Sequence, residues 1–265
     1  MRLLPGQGFD WIETGSGRAL VCRPLEPFAA HLFTTRAWTL GSANGDGRTE
    51  AAWAAVAAAM GVAPGQLARV HQVHAATVVV RRAAGESAAS NPLPEADIIL
   101  SDDPSQAIAI QTADCVPLLI ADRRTGAVAA AHAGWRGLAA GVPAVTVRAM
   151  ADAFGSRAPD LIVAIGPSIS AAQYEVGEDV RARFASSHPA ENVDVWFGLQ
   201  TRPGRWLFDG WASARDQLTQ AGVPHTTIFN ARSCTALYPD LFCSFRRDGR
   251  AAGRMAAAIR ARSGR

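Results

Sequence analysis

The chain has 265 residues, is 49% hydrophobic and carries a formal net charge of +3, enough apolar material for a full core and too little clustered charge for a nucleic-acid tract. All of its basic side chains are arginine, which excludes a lysine Schiff base, a pyridoxal-phosphate linkage and a phosphate-loop lysine. No apolar run reaches the ~20 residues of a membrane span, and Pro5 and Gly6 interrupt the start before a signal-peptide core can form. A soluble cytoplasmic protein is expected, with Cys22, Cys115, Cys234 and Cys243 as free thiols or ligands rather than disulfides.

Residues 1–30 mix turn residues with short apolar runs and carry no chemistry. Leu32–Arg36 reads as a strand ending in a cation, and WTLGSANGDGRT from Trp38 onward as a mobile Gly-rich loop without the G-x-G-x-x-G spacing. Thr49–Met60 is an Ala-rich helix, stopped by Gly61 and Pro64. Leu67–Arg82 is a long β-prone run containing His71 and His74. Strand alternation puts the two on opposite faces, so at most one of them joins a given site. Residues 83–95 form a polar, flexible insertion, and Asp97–Leu100 and Gln106–Thr112 are short strands.

The stretch Gln111–Gly137, QTADCVPLLIADRRTGAVAAAHAGWRG, then gathers the chemistry. Val116–Ala121 and Gly126–Ala133 read as the arms of an antiparallel hairpin around Asp122–Thr125. If Ala121 faces Gly126, Cys115 and His132 fall opposite each other on one face, their Cα atoms ~4.5–5.5 Å apart.

Gly134–Phe154 reads as a helix that Gly141 and Pro143 complicate, with a start near Pro143. Leu161–Ile165 is a buried strand, Val176–Ser187 a helix and Val193–Phe197 a strand. Asp209–Ala221 is a helix with an acidic cap and a Gly222 stop. His225–Phe229 and Leu241–Phe245 are read as strands, and the terminal RAAGRMAAAIRARSGR fits helix or strand equally. With no internal repeat and no linker, the pattern is that of an α+β single domain over residues 1–265, a mixed β-sheet flanked by helices.

Cys115, His132 and one of His71 or His74 make a Cys-His-His set, and three protein ligands with an open fourth position is the pattern of catalytic zinc. The plain alternative is a satisfied core histidine beside a small buried thiol. A third reading is a Cys115–His132 nucleophilic pair for acyl transfer, oriented by Asp114 or Gln111. A blue-copper centre would need a methionine nearby, and Met60, Met150 and Met255 are remote in sequence. Multi-copper oxidation would need more histidines than six, usually in H-x-H pairs, and no such pair exists here.

The segments QVH (Gln72–His74), TADCVPLL (Thr112–Leu119), HAGWRGL (His132–Leu138), IGPSISAAQYEVGEDV (Ile165–Val180) and FCSFRRDG…GRMAAAI (Phe242–Ile259) closely resemble the YfiH-like family. Its members have been called polyphenol-oxidase laccases, purine nucleoside phosphorylases and peptidoglycan editing factors. The likeness is collinear from about Gln72 to Ile259, while residues 1–66 diverge apart from FTTR. It implies a YfiH-like, cysteine-hydrolase-like architecture and the metal ligands His74, Cys115 and His132, holding zinc, with copper as the alternative metal.

The activity that the resemblance implies is phosphorolysis of adenosine, inosine, guanosine and methylthioadenosine, together with adenosine deamination. Nucleoside and phosphate are the partners, with no nucleic acid and no membrane. The ligand residues, Arg36 and Arg246 would be catalytic, and Gln72, Asp114, Arg136 and Tyr174 would contact substrate or support the site. The alternatives are a Cys-His amidase in peptidoglycan precursor editing and a copper-dependent polyphenol oxidase. Four departures stand out: Ala75 for the Gly of QVHG, Cys243 for an aromatic, Ala252 for the Thr of TGRM, and AWTLGSANGDG in place of the family's N-terminal loop.

Overall fold

The computed structural model describes residues 4–38, 40–41, 48–83 and 92–262. Most of the Gly-rich stretch after Trp38 and of the insertion 83–95 therefore lies outside the described residues. The chain opens with a hairpin, β1 (Phe9–Thr14) and β2 (Gly17–Cys22), followed by β3 (Ala29–Thr34) and helix α1 (Arg48–Ala59). Next come β4 (Leu67–Ala68), β5 (Val78–Arg81), β6 (Ile98–Ser101), β7 (Ala107–Thr112), β8 (Val116–Asp122) and β9 (Val128–Ala133). Helices α2 (Trp135–Ala139) and α3 (Val142–Phe154) lead to β10 (Leu161–Ile165), β11 (Glu175–Gly177), α4 (Glu178–Ala185) and α5 (Ala190–Trp196). The last third holds β12 (Leu199–Arg202), β13 (Arg205–Leu207), α6 (Gly210–Gln220), β14 (Ile228–Asn230), α7 (Phe245–Asp248) and β15 (Met255–Ala261).

Two six-stranded sheets carry the architecture, ordered β1-β2-β3-β15-β7-β4 and β14-β10-β8-β9-β6-β5, with a small third sheet β11-β13-β12. Both large sheets are mixed: β4 joins β7, β5 joins β6 and β14 joins β10 in parallel, and the remaining pairs are antiparallel. The expected α+β arrangement with mixed sheet is therefore the observed one.

Side-chain alternation explains the layers. In β8, Leu119 and Ala121 face the first sheet, where Phe33, Ile108, Ile110 and Ile259 meet them. Leu118 and Ile120 face the opposite way, into a core closed by Val142, Met150, Phe184, Trp196 and Leu218 from the helices. The outer face of the first sheet packs Ala109, Ala256 and Ala258 against Trp53 and Val56 of α1. The central strands of both sheets are thus covered on both faces and read as apolar runs rather than alternating ones, whereas edge strand β1 exposes Asp10 and Glu13.

Several expectations require correction. The run 67–82 is not one strand: residues between β4 and β5 bend, so alternation does not govern His71 and His74. Gly141, at φ +78°, splits the helix expected over Gly134–Phe154 into α2 and α3. Val176–Ser187 begins as strand β11 and turns helical only at Glu178. Val193–Trp196 is helical and Phe197 caps it: Pro189 opens α5, and Val193 and Trp196 lie one turn apart on its buried side. The Trp196 indole donates to Asp216 (2.8 Å), so tertiary contact overrides the β propensity of the valines. His225–Thr227 is a 3-10 turn, with strand only from Ile228. Leu241–Phe245 is not a strand, because the Ser244 hydroxyl accepts from the Arg247 N–H (3.2 Å) and starts α7. The ambiguous terminus resolves as β15, buried between β3 and β7.

Candidate metal centre

The β8–β9 hairpin closes with a wider turn than expected. The Asp122 carboxylate accepts from the Arg124 and Thr125 amides (2.7 and 3.2 Å), so Ala121 pairs with Val128 rather than Gly126. His132 consequently faces Pro117, and Cys115 sits in the bend before β8. The correction moves the register by two residues, and a two-residue shift preserves the face. Cys115 and His132 still converge, and with His74 their donor atoms all lie within 4.8 Å of one another. Among the described residues this is the one such group of three or more His, Cys, Asp or Glu.

His74 reaches the group from the bend between β4 and β5, in a left-handed conformation (φ +59°) that few non-glycine residues adopt. His71 is not in the group; its backbone bridges to Glu95, and its side chain is exposed. The His74 and His132 rings meet edge to face, with centroids 4.9 Å apart. Beneath them lies Asp97, fully buried, its Oδ1 2.8 Å from His132 Nδ1. The Asp97 carboxylate also accepts the backbone N–H groups of Val73 (3.2 Å), His74 (3.1 Å) and Ala75 (2.7 Å). Positive φ falls on His74 and not on Ala75, so alanine replaces the family glycine there without backbone strain.

The electrostatics are those of a thiolate–imidazolium pair. Burial alone would raise the Cys115 thiol, but the charge of His132 and hydrogen bonds from His132 and His74 outweigh it and lower its pKa to about 6. Burial would likewise depress His132; the Cys115 thiolate and the Asp97 hydrogen bond reverse that and raise its pKa to about 9. Asp97 is held below the usual carboxylate range, its desolvation outweighed by its bonds to His132 and the amides.

The residues around the group take distinct places. A Cβ at Gly134 would come 2.9 Å from Cys115 Sγ and 3.2 Å from His74 Cδ2, so any larger residue here would push the two side chains out of place. Asp114 (φ +93°) spends its carboxylate internally, on Thr235 Oγ1 (2.5 Å), Ser244 Oγ (3.0 Å) and the Arg246 N–H (2.6 Å). It ties the Cys115 bend to the start of α7. Gln72 is similarly occupied: its amide exchanges two hydrogen bonds with the Gln111 backbone (2.9 and 2.7 Å), extending the edge of β7 as a strand would.

Tyr174 and Trp135 line a small cleft of about 10 Å³ beside Cys115, together with Ile169 and Phe208. The Arg246 guanidinium stacks on Tyr174 (5.0 Å) and donates to the Glu175 carbonyl (2.8 Å), while Arg136 stacks on Trp135 (4.1 Å). Both arginines are exposed, and the charge of each acts on the Tyr174 hydroxyl, whose pKa burial pushes upward. Arg36 donates to the Pro239 carbonyl, and its N–H to Leu241; none of these contacts involves the three donors.

Asp97, Gly134, Thr235 and Ser244 were not singled out by the sequence pattern. Asp97 carried one usable signal, a carboxylate at the mouth of the fully apolar strand Ile98–Leu100, where burial demands a partner. Thr235 and Ser244 lie more than a hundred residues from Asp114, and no local pattern connects them.

The family model described as multi-copper polyphenol oxidoreductase laccase matches residues 33–262. A purine nucleoside phosphorylase of Bacteroides thetaiotaomicron is 37% identical over 164 residues, 62% of this chain and 60% of that protein, so the match spans less than two thirds of its length. Purine nucleoside phosphorylase YfiH of Escherichia coli is 38% identical over 203 residues, 76% of each chain. The crystal structure of YlmD from Geobacillus stearothermophilus superposes with a TM-score of 0.85 at 27% identity, covering 96% of this chain and 99% of that one.

Proposed function

This chain belongs to the YfiH-like, laccase-domain family, and on that premise we propose that it is a zinc-dependent purine nucleoside phosphorylase that also deaminates adenosine. Adenosine, inosine, guanosine and methylthioadenosine are the proposed substrates. The observation that carries the reading is the convergence of His74, Cys115 and His132, their donor atoms within 4.8 Å of one another. Two imidazoles and a thiolate are a donor set that suits zinc, and three ligands leave a fourth position for chemistry. Zinc held there would supply Lewis-acid polarisation and water activation near neutral pH.

The chain's own groups supply the remainder. In phosphorolysis a phosphate oxygen bonds to the ribose C1′ as the C1′–N9 bond breaks, and the electron pair leaves with the purine. Cations placed where negative charge enters and leaves lower that barrier. In this reading Arg246 and Arg136, stacked on Tyr174 and Trp135 at the pocket, serve that purpose. Asp114 fixes the backbone that carries Arg246, Gln72 fixes the strand edge, and Arg36 braces the segment at Pro239. Metal-replete protein given inosine and phosphate should release hypoxanthine, and Cys115→Ala or His132→Ala should abolish release. Elemental analysis of the same sample identifies the metal. Protein loaded with zinc that releases no base from any of the four nucleosides would refute the reading.

One observation favours a second reading. Asp97, His132 and Cys115 are aligned as carboxylate, imidazole and low-pKa thiol, the arrangement of a Cys-His hydrolase acting on an amide. Iodoacetamide distinguishes the two: zinc protects Cys115 from alkylation if it is a ligand and leaves it reactive if it is a free nucleophile. The oxidase activity in the family model's description has less support, since six histidines and, among the described residues, one three-donor group do not suit several coppers.

A further inference from the structure

We propose that Asp97 is a positioning residue that presets both histidines of the metal site with one carboxylate, before any metal arrives. The proposal rests on the metal-ligand reading above and goes beyond it. Asp97 is fully buried at the mouth of β6, and the antiparallel pairing of Ile98 with Ala131 continues so that Asp97 lies across from His132. The His132 N–H donates to the Asp97 carbonyl (2.8 Å), which locks the two backbones together.

The side chain divides its work evenly. Oδ1 takes His132 Nδ1 (2.8 Å) and the His74 N–H (3.1 Å); Oδ2 takes the Val73 and Ala75 N–H groups (3.2 and 2.7 Å). Three consecutive amides around a carboxylate form an anion nest. That nest holds His74 at φ +59°, a conformation uncommon for residues other than glycine. The contact to His132 meanwhile keeps a proton on Nδ1, so the proton that His132 gives up when a metal binds is the one on Nε2, as carboxylate partners of metal-binding histidines commonly arrange. One buried group therefore sets the backbone of one ligand and the tautomer of another.

An amide cannot substitute. Asp97→Asn keeps the shape but turns one oxygen into a donor, and either orientation of the amide sets that donor against two others. The experiment uses wild type and Asp97→Asn, stripped of metal, titrated with zinc against a chromophoric chelator and separately loaded with Co2+. Expected is a folded variant by circular dichroism, with zinc affinity lowered about 10- to 100-fold and a changed Co2+ ligand-field spectrum. A folded variant with wild-type affinity and an unchanged Co2+ spectrum overturns the proposal while leaving the metal reading intact. Zinc-loaded wild type labelled with 15N-histidine gives an answer even if the variant does not fold. A proton on His132 Nδ1 with the metal on Nε2 supports the proposal, and the reverse overturns it. Wild type that takes up neither zinc nor Co2+ refutes the metal reading itself, and the proposal with it.

Discussion

Gly134→Ala adds one methyl group between two of the proposed ligands, and the structure sets the scale of its effect. The new carbon would stand 2.9 Å from Cys115 Sγ and 3.2 Å from His74 Cδ2. Unstrained carbon contacts lie at about 3.5–4.0 Å, so the thiol must retreat by roughly 0.6 Å or more. Metal–ligand bonds tolerate about 0.2 Å. Zinc affinity should therefore fall about 10- to 100-fold, or about 1.4–2.7 kcal/mol.

The backbone at Gly134 is ordinary (φ −66°, ψ 172°), so alanine brings no conformational strain. Its place at the start of α2 predicts only about 1 kcal/mol of lost stability from the poorer cap. Chelator competition measures the first quantity, and denaturant unfolding of the metal-free protein the second. Gly166→Ala is the contrast, since its methyl would collide with the Phe33 ring in the core and should cost stability while sparing the metal affinity of the folded fraction. Wild-type zinc affinity in Gly134→Ala would refute the reasoning.

Two further outcomes are expected. In metal-free protein, alkylation of Cys115 should follow a midpoint near pH 6, because a lowered thiol pKa keeps the thiolate present above that value and loses it as pH falls through it. His132→Ala should move the midpoint upward, and a wild-type midpoint near the ordinary thiol value of 9.0 would contradict the ion pair. Asp114→Ala strips the acceptor from the Arg246 amide and two buried hydroxyls, a loss of about 2–3 kcal/mol and thus a Tm drop of roughly 5–10 °C. An unchanged Tm in a thermal melt would show that those bonds contribute nothing.

Local pattern sufficed where one segment supplied its own signal. The Asp209 side chain caps α6 at the Ala212 amide (2.9 Å), the apolar runs of β6 to β10 became strands, and the motif residues became the donor group. Cys115 and His132 meet despite a misjudged turn, because side-chain parity in a strand survives a two-residue slip. The Ala-rich β15 was ambiguous for a different reason. Alanine suits a helix intrinsically, and only the closeness of β3 and β7 on either side makes the strand the better solution.

What the amino-acid sequence by itself determined is the inventory: no lysine, six histidines, a thiol and a histidine on one face of a hairpin, and enough apolar strand to bury two sheets. The family resemblance in the QVH segment pointed to His74 as the histidine that joins them; what only the tertiary structure decided is what holds it there. His74 enters through a left-handed bend uncommon outside glycine, because Asp97, brought beside it by the pairing of β5 with β6, offers the amides of Val73, His74 and Ala75 a buried charge. A fully buried carboxylate must be satisfied by its surroundings, and here the groups that satisfy it are the ones that shape the site.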